Sequence, residues 1–148
     1  MSLQTRPYAL HDERTRLHSL GTLVSILANA EQTGGAFNLF DAILPTGFST
    51  PLYINYADDV ALFVLKGTLE FFWGNDKMEA QVGSYFYQPS GTPHGFRVAG
   101  STPARILYFT IPAGFAEFVI RRSRPASDFE SKVSEAHYKI EVLGSLPE

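Results

Sequence analysis

The chain has 148 residues, of which 45% are hydrophobic and 18% are charged, and its formal net charge is -3. This length and balance predict one globular domain, residues 1–148, and argue against a disordered chain. Cysteine is absent, which excludes disulfides and thiolate chemistry, and the lack of a basic patch argues against a nucleic-acid partner.

The N-terminal residues 1–17 are polar with mixed charge, so we expect either an ordered arm or an edge strand. They contain no apolar segment of the signal-peptide type. No apolar run in the chain approaches the roughly 20 residues that a membrane-spanning helix needs. We therefore expect a soluble, cytoplasmic protein with no membrane partner.

Short apolar runs follow one another from residue 20 onward. The first, residues 20–28, is rich in Leu, Val and Ile and predicts a strand buried on both faces. A polar turn at 29–35 ends in Gly34 and Gly35, which adopt positive φ at little cost. Residues 36–44 then predict the returning strand of a hairpin.

The middle of the chain continues this pattern. Residues 50–56 alternate so that Tyr53 and Asn55 share one face of a strand. Further strands are predicted at 60–65, 68–73, 77–82, 84–88, 94–98 and 104–111. About nine or ten short strands, with turn signals every 8 to 12 residues, are typical of a sandwich or barrel.

The C-terminal part, residues 112–148, changes its periodicity. Residues 114–123 carry apolar side chains at helical spacing, and Ser127 and Glu130 are spaced as a capping box before a second helix to about residue 137. We expect both helices to pack outside the barrel and the apolar tail to dock on the domain.

Two glycine-framed segments have a regular spacing. In the first, five residues separate Gly47 from Tyr53, and one residue separates Tyr53 from Asn55. Four residues then precede Val60, and six more precede Gly67. In the second, the order is Gly83, Pro89, Gly91, His94, Val98. This frame resembles the two conserved motifs of the cupin superfamily.

The resemblance covers nearly the whole chain from about residue 18 and is greatest for small bacterial single-domain cupins labelled quercetin dioxygenase-like. It implies an all-β double-stranded β-helix, or jelly-roll barrel, to which the helical periodicity adds one or two C-terminal helices. It also implies a site inside the barrel mouth and a homodimer.

The metal ligands of the resembled family are mostly missing. Its motifs carry two histidines and a glutamate where this chain has Tyr53, Asn55 and Val60, and only His94 matches. A non-haem iron centre needs about three protein ligands. Asp58 would lie about 6.6 Å from the position of Val60 along a regular strand, so it could substitute only after a register shift. We therefore predict a degenerate metal site with no metal and no cofactor.

The predicted site consists of three polar side chains, Tyr53, Asn55 and His94, that converge in an otherwise apolar pocket. Candidate walls are Val60, Phe63, Phe96, Val98, Tyr85, Tyr87 and Tyr108. The alternative is that His94 is a buried structural histidine with its hydrogen bonds satisfied.

Three functions stay open at this level. The protein could bind a small apolar or aromatic molecule in the barrel without transforming it. It could be a metal-independent acid/base enzyme, with His94 as the base and Tyr53 as the acid. A quercetinase-like metal-dependent dioxygenase is the third, and the missing ligands count against it.

Overall fold

The computed structural model describes residues 15–19, 21–111 and 140–146. These residues form eleven β-strands and one short helix. In chain order they are β1 Thr15–Ser19, β2 Thr22–Ala28, α1 Ala30–Thr33, β3 Asn38–Leu44, β4 Leu52–Asn55, β5 Asp59–Lys66, β6 Leu69–Trp73, β7 Asp76–Ala80, β8 Tyr85–Gln88, β9 His94–Val98, β10 Ala104–Ile111 and β11 Ile140–Gly144.

The strands form two antiparallel sheets. The six-stranded sheet, here called sheet 1, has the order β1-β2-β3-β10-β5-β8, and the five-stranded sheet 2 has the order β11-β4-β9-β6-β7. Strands distant in sequence lie side by side, since β10 pairs with both β3 and β5. This arrangement is the predicted jelly roll.

The core lies between the two sheets because alternate residues of each strand face inward. In β10, for example, Ala104, Ile106, Tyr108 and Thr110 are all buried. Aromatic rings join the sheets: Phe71 of sheet 2 stacks on Phe86 of sheet 1 with ring centroids 4.1 Å apart.

The predicted hairpin near the N-terminus is confirmed, since β2 and β3 pair antiparallel. Its connection differs from the predicted turn because it contains α1. Asn29 caps this helix with a capping box, in which its side chain accepts from the backbone N–H of Gln32 and the Gln32 side chain accepts from the Asn29 N–H. The second half of β2 is only partly buried, so the prediction of a strand buried on both faces is wrong there.

The apolar tail docks on sheet 2, as predicted, and it does so as a strand. β11 pairs with β4, and Leu146 beyond it is buried. Gly95 of β9 makes this possible, because a Cβ there would lie 2.6 Å from Leu146 Cδ2 and 2.7 Å from the carbonyl oxygen of Pro51.

The helices predicted at 114–123 and about 128–137 lie outside the described residues, as does most of the N-terminal arm. In the described ranges no helix is long and apolar enough to cross a membrane.

Candidate functional site

Tyr53 and His94 lie opposite each other on neighbouring strands of sheet 2. They are register partners between β4 and β9, and their rings meet edge to face with centroids 4.3 Å apart. His94 shares the inward face of β9 with Phe96 and Val98, which belong to the core. The structure therefore brings this predicted pair together at one end of the barrel.

The tautomer of His94 follows from its hydrogen bond. Its Nδ1 lies 2.9 Å from the carbonyl oxygen of Thr92, which can only accept, so Nδ1 carries a proton and donates it. Burial lowers the pKa of His94 to about 4, with the bond to Thr92 acting in the opposite direction. At neutral pH the ring is therefore neutral, and Nε2 carries a lone pair.

That Nε2 atom is buried and has no hydrogen-bond partner within the described residues. A buried polar atom without a partner costs about 1 to 3 kcal/mol, and native proteins rarely leave one. The interpretation of His94 as a satisfied structural histidine thus holds for Nδ1 and fails for Nε2. His94 presents a hydrogen-bond acceptor.

Tyr53 reaches across to sheet 1. Its hydroxyl lies 3.3 Å from the hydroxyl of Tyr108, and either group can be the donor. Burial raises the pKa of Tyr53, while the hydrogen bond to Tyr108 lowers it. Burial also raises the pKa of Tyr108, helped by its proximity to Tyr53. Both phenols therefore stay protonated at neutral pH.

Asn55 is buried, and its side chain accepts hydrogen bonds from the backbone. Its Oδ1 accepts from the N–H groups of Ala57 and Asp58, both at 2.9 Å. This Asx-type turn holds the chain between β4 and β5. Asn55 is predicted to bind a ligand through its side chain, and the oxygen of that side chain is already engaged by two backbone donors.

Asp58 follows in the same turn, and its side chain is buried. Burial, with the neighbouring charge of Asp59, raises the pKa of the Asp58 carboxyl group to about 6. The carboxylate of Asp59 accepts hydrogen bonds from the Tyr87 hydroxyl at 2.6 Å and from the Ser90 N–H at 2.7 Å. Asp58 thus places a carboxyl group with a raised pKa near Tyr108, and its charge helps to raise the pKa of Tyr108.

A row of four residues, three of them polar and not singled out by the sequence analysis, crosses the inner face of sheet 1. The register aligns Asn38 with Thr110, Thr110 with Val60, and Val60 with Gln88, and all four are buried. We call these four residues the polar row. The alternation of β8, which puts Phe86 and Gln88 on one face, was the sequence signal that could have identified Gln88.

Several predicted walls need correction. Phe63 is 36% exposed and pairs with Tyr85, which is 60% exposed, and Tyr87 is exposed as well. The alternation of β5 turns Leu62 and Val64 inward, so Phe63 and its two neighbours on β8 face outward. The prediction that these three rings line the barrel interior is wrong.

The walls predicted on the inner faces do lie there. Val60, Phe96, Val98 and Tyr108 belong to the core between the sheets. Val60 is fully buried in the middle of the polar row, and Phe96 lies one inward position from His94.

The residues at the family's metal position do not fit a metal centre. His94 Nε2 is an available donor, but Asn55 uses its oxygen on the backbone, the Tyr53 phenol is held protonated, and Val60 has no donor atom. In the part of the chain that the structure describes, no three His, Asp or Glu side chains cluster in a way that could hold an ion. A catalytic centre with about three protein ligands therefore cannot be assembled from this set.

The family follows from the motif frame and the fold together. Residues 41–110 match the model of the cupin domain family. The chain belongs to the cupin superfamily.

Individual relatives are distant. The chain is 27% identical over 111 residues to quercetin 2,3-dioxygenase from Bacillus subtilis, an alignment that covers 74% of this chain and 33% of the enzyme. The chain thus spans about a third of the length of this curated relative.

Among solved structures, KdgF from Halomonas sp. superposes with a TM-score of 0.63 at 18% identity, covering 74% of this chain and 98% of that one. The cupin domain of Cnp3 from Schizosaccharomyces pombe gives 0.57 at 16% identity, covering 71% and 70%. These similarities establish the fold. The predicted homodimer stays a prediction, since the structure contains one chain.

Proposed function

We propose that this cupin binds a small, neutral, largely apolar or aromatic molecule in the mouth of its barrel without a metal ion. The observation that carries the proposal is His94 Nε2, a buried hydrogen-bond acceptor that no described residue satisfies. A ligand with a hydroxyl or N–H group would supply the missing donor.

The surroundings of His94 support an apolar ligand body. The Tyr53 ring packs against the imidazole, Phe96 lies at the next inward position of the same strand, and Val60 is buried on the inner face of sheet 1. Pockets of this composition, with a few placed polar groups, are the usual make-up of small-molecule sites.

The electrostatics support a neutral ligand. The imidazole is uncharged at neutral pH because burial lowers its pKa to about 4, and both tyrosines are protonated. The two arginines with described carboxylate partners lie away from the inner face: Arg97 binds Glu70, and Arg105 binds Asp41. A phosphorylated or carboxylated ligand would thus meet no cation in this set.

Calorimetric titration with phenol and anisole tests the proposal, because the two differ mainly in the hydroxyl proton. We expect the wild type to bind phenol about ten-fold more tightly than anisole, since a phenol donates to His94 and the ether leaves Nε2 unpaired. In His94→Phe, which keeps a ring against Tyr53, this preference should disappear. Equal binding of the two probes by the wild type, or no binding of either, would contradict the proposal.

A metal-independent acid/base enzyme is the second candidate, and Asp58 favours it. His94 offers a neutral base, whereas the predicted acid, Tyr53, has a pKa raised by burial. Asp58, with a pKa of about 6 and a buried carboxyl group near Tyr108, is a better proton donor near neutral pH. If this candidate is right, exchange of an acidic C–H proton of a bound ligand with deuterium from the solvent should be lost in both Asp58→Asn and His94→Phe.

A further inference from the structure

The amide of Gln88 is one of three described groups in the barrel interior with an unpaired atom, the others being His94 Nε2 and Asn38 Oδ1. Its side chain is 1% exposed, and neither Nε2 nor Oε1 has a hydrogen-bond partner in the described residues. Two unpaired atoms on one buried amide are unusual in a native protein. Packing alone does not explain a glutamine at this position. The next inward position of the same strand holds Phe86, an apolar side chain that fills the core without unpaired polar atoms.

Gln88 lies at the same end of the barrel as His94. The two residues flank the loop 89–93, which ties this end together: Gly91 N–H donates to the Asn55 carbonyl oxygen, and Gly74 N–H donates to that of Pro93. Gln88 thus begins the loop from sheet 1, and His94 ends it in sheet 2.

Among the described residues on the inner face of sheet 1, amide side chains occur in this layer alone. The polar row contains Asn38, Thr110 and Gln88, whereas the next inward layer aligns Phe40, Tyr108, Leu62 and Phe86. Asn38 is partly satisfied, since its Nδ2 donates to Thr110 Oγ1 at 3.1 Å. Gln88 is separated from that pair by Val60, whose side chain cannot hydrogen bond.

A primary amide places one donor and one acceptor side by side. Its complement is a group with an N–H next to a C=O, as in a lactam, an imide or a carboxamide, which forms two parallel hydrogen bonds with it. Such a group is neutral, in agreement with the neutral imidazole of His94 and the protonated phenol of Tyr53. Val60 beside Gln88 offers an apolar contact for the rest of a flat ring.

We propose that Gln88 is a specificity-determining residue that binds the lactam, imide or carboxamide edge of a neutral ligand held in the barrel mouth. This inference rests on the proposed function and adds the chemical class of the ligand to it. The ligand then carries two features: an N–H/C=O edge for Gln88 and a separate donor for His94.

The test uses 2-pyridone and N-methyl-2-pyridone, which have similar rings and differ in the lactam N–H. Both are titrated calorimetrically into the full-length wild type and into Gln88→Met, which replaces the amide by an apolar side chain of similar length. Phenol is titrated into both proteins as the probe of the His94 contact. Thermal unfolding checks that Gln88→Met folds, and we expect its Tm to equal or exceed that of the wild type, because two unpaired polar atoms are removed.

We expect the wild type to prefer 2-pyridone by about ten-fold or more, and Gln88→Met to lose this preference while binding phenol within about two-fold of the wild type. Equal binding of the two pyridones by the wild type, or a preference that survives in Gln88→Met, overturns the inference and leaves the proposed function standing if phenol still binds. If neither phenol nor either pyridone binds, both the inference about Gln88 and the proposed function are overturned. If Gln88→Met is unfolded, Gln88→Leu replaces it, and the same outcomes decide.

Discussion

The two buried titratable groups at the barrel mouth should oppose each other in the pH dependence of stability. Burial lowers the pKa of His94 to about 4 from its ordinary 6.5 and raises that of Asp58 to about 6 from 3.8. Each group therefore binds protons differently in the folded and unfolded chains over nearly the same pH range.

The signs are opposite. For His94 the folded chain resists protonation, so its stabilising contribution is complete above pH 6.5 and is lost as the pH falls through about 4. For Asp58 the folded chain retains the proton, so its contribution is complete below pH 3.8 and is lost as the pH rises through about 6.

The magnitudes nearly cancel. At about 1.36 kcal/mol per pKa unit, the shift of either group corresponds to at most about 3 kcal/mol. Between pH 4 and 6.5 the two contributions should thus leave the wild type with almost no net pH dependence from this site. In a variant that lacks one of the two groups, the unfolding free energy should show the pH dependence of the remaining group.

The assay is urea unfolding of wild type, Asp58→Asn, His94→Gln and the double variant at several pH values from 4 to 7. Relative to wild type, Asp58→Asn should gain up to about 3 kcal/mol in unfolding free energy as the pH rises across this range, because the cost of ionising Asp58 is gone. His94→Gln should gain a similar amount as the pH falls, and the double variant should follow the wild type. If both single-variant differences are independent of pH within about 0.5 kcal/mol, the assignment of these two groups as buried and strongly shifted is wrong.

Three further outcomes are expected. Joint substitution of Tyr53→His, Asn55→His and Val60→Glu restores the family's ligand set. Calorimetry should then detect one Ni²⁺ or Zn²⁺ bound per chain of the variant and none for the wild type. If the variant binds neither ion, the backbone does not retain the ligand geometry of the family. Asn55→Ala should lower the unfolding free energy by about 1 to 3 kcal/mol in urea titration, because two backbone donors lose their acceptor, while Asn55→Asp, which keeps an oxygen there, should lose less. Gly67→Ala should lower the unfolding free energy by about 1 to 3 kcal/mol more than Gly83→Ala in the same assay. Both glycines have positive φ, but a Cβ at Gly67 would lie 2.7 Å from the Pro103 carbonyl oxygen, whereas none of the described atoms lies within 4 Å of a Cβ at Gly83. Equal losses in the two variants would contradict this clash.

The fold was predictable because its signals are local. Apolar runs separated by glycine and proline turns determine the strands, and the motif frame from Gly47 to Val98 determines their family. The errors fall where a strand's two faces had to be distinguished. Residues 60–65 are apolar throughout, so the sequence pattern does not show that Phe63 faces outward; the pairing of Phe63 with Tyr85 does.

The candidate site was predictable only in part. The motif spacing located Tyr53, His94 and Val60 on the inner faces, but it assigned Asn55 to the ligand. Asn55 is drawn to the backbone because the turn between β4 and β5 leaves two N–H donors that need an acceptor, a local requirement that appears only once the turn is built.

The sequence by itself determined the strand pattern, the family frame and the loss of the metal ligands at residues 53, 55 and 60, because each is a property of residue identity and spacing along the chain. The tertiary structure alone decided which polar atoms are left without partners. His94 Nε2 is left as an unpaired acceptor, and the Gln88 amide is left with an unpaired donor and an unpaired acceptor. This outcome depends on strand register and on the packing of the two sheets, because register brings together residues that are far apart in sequence.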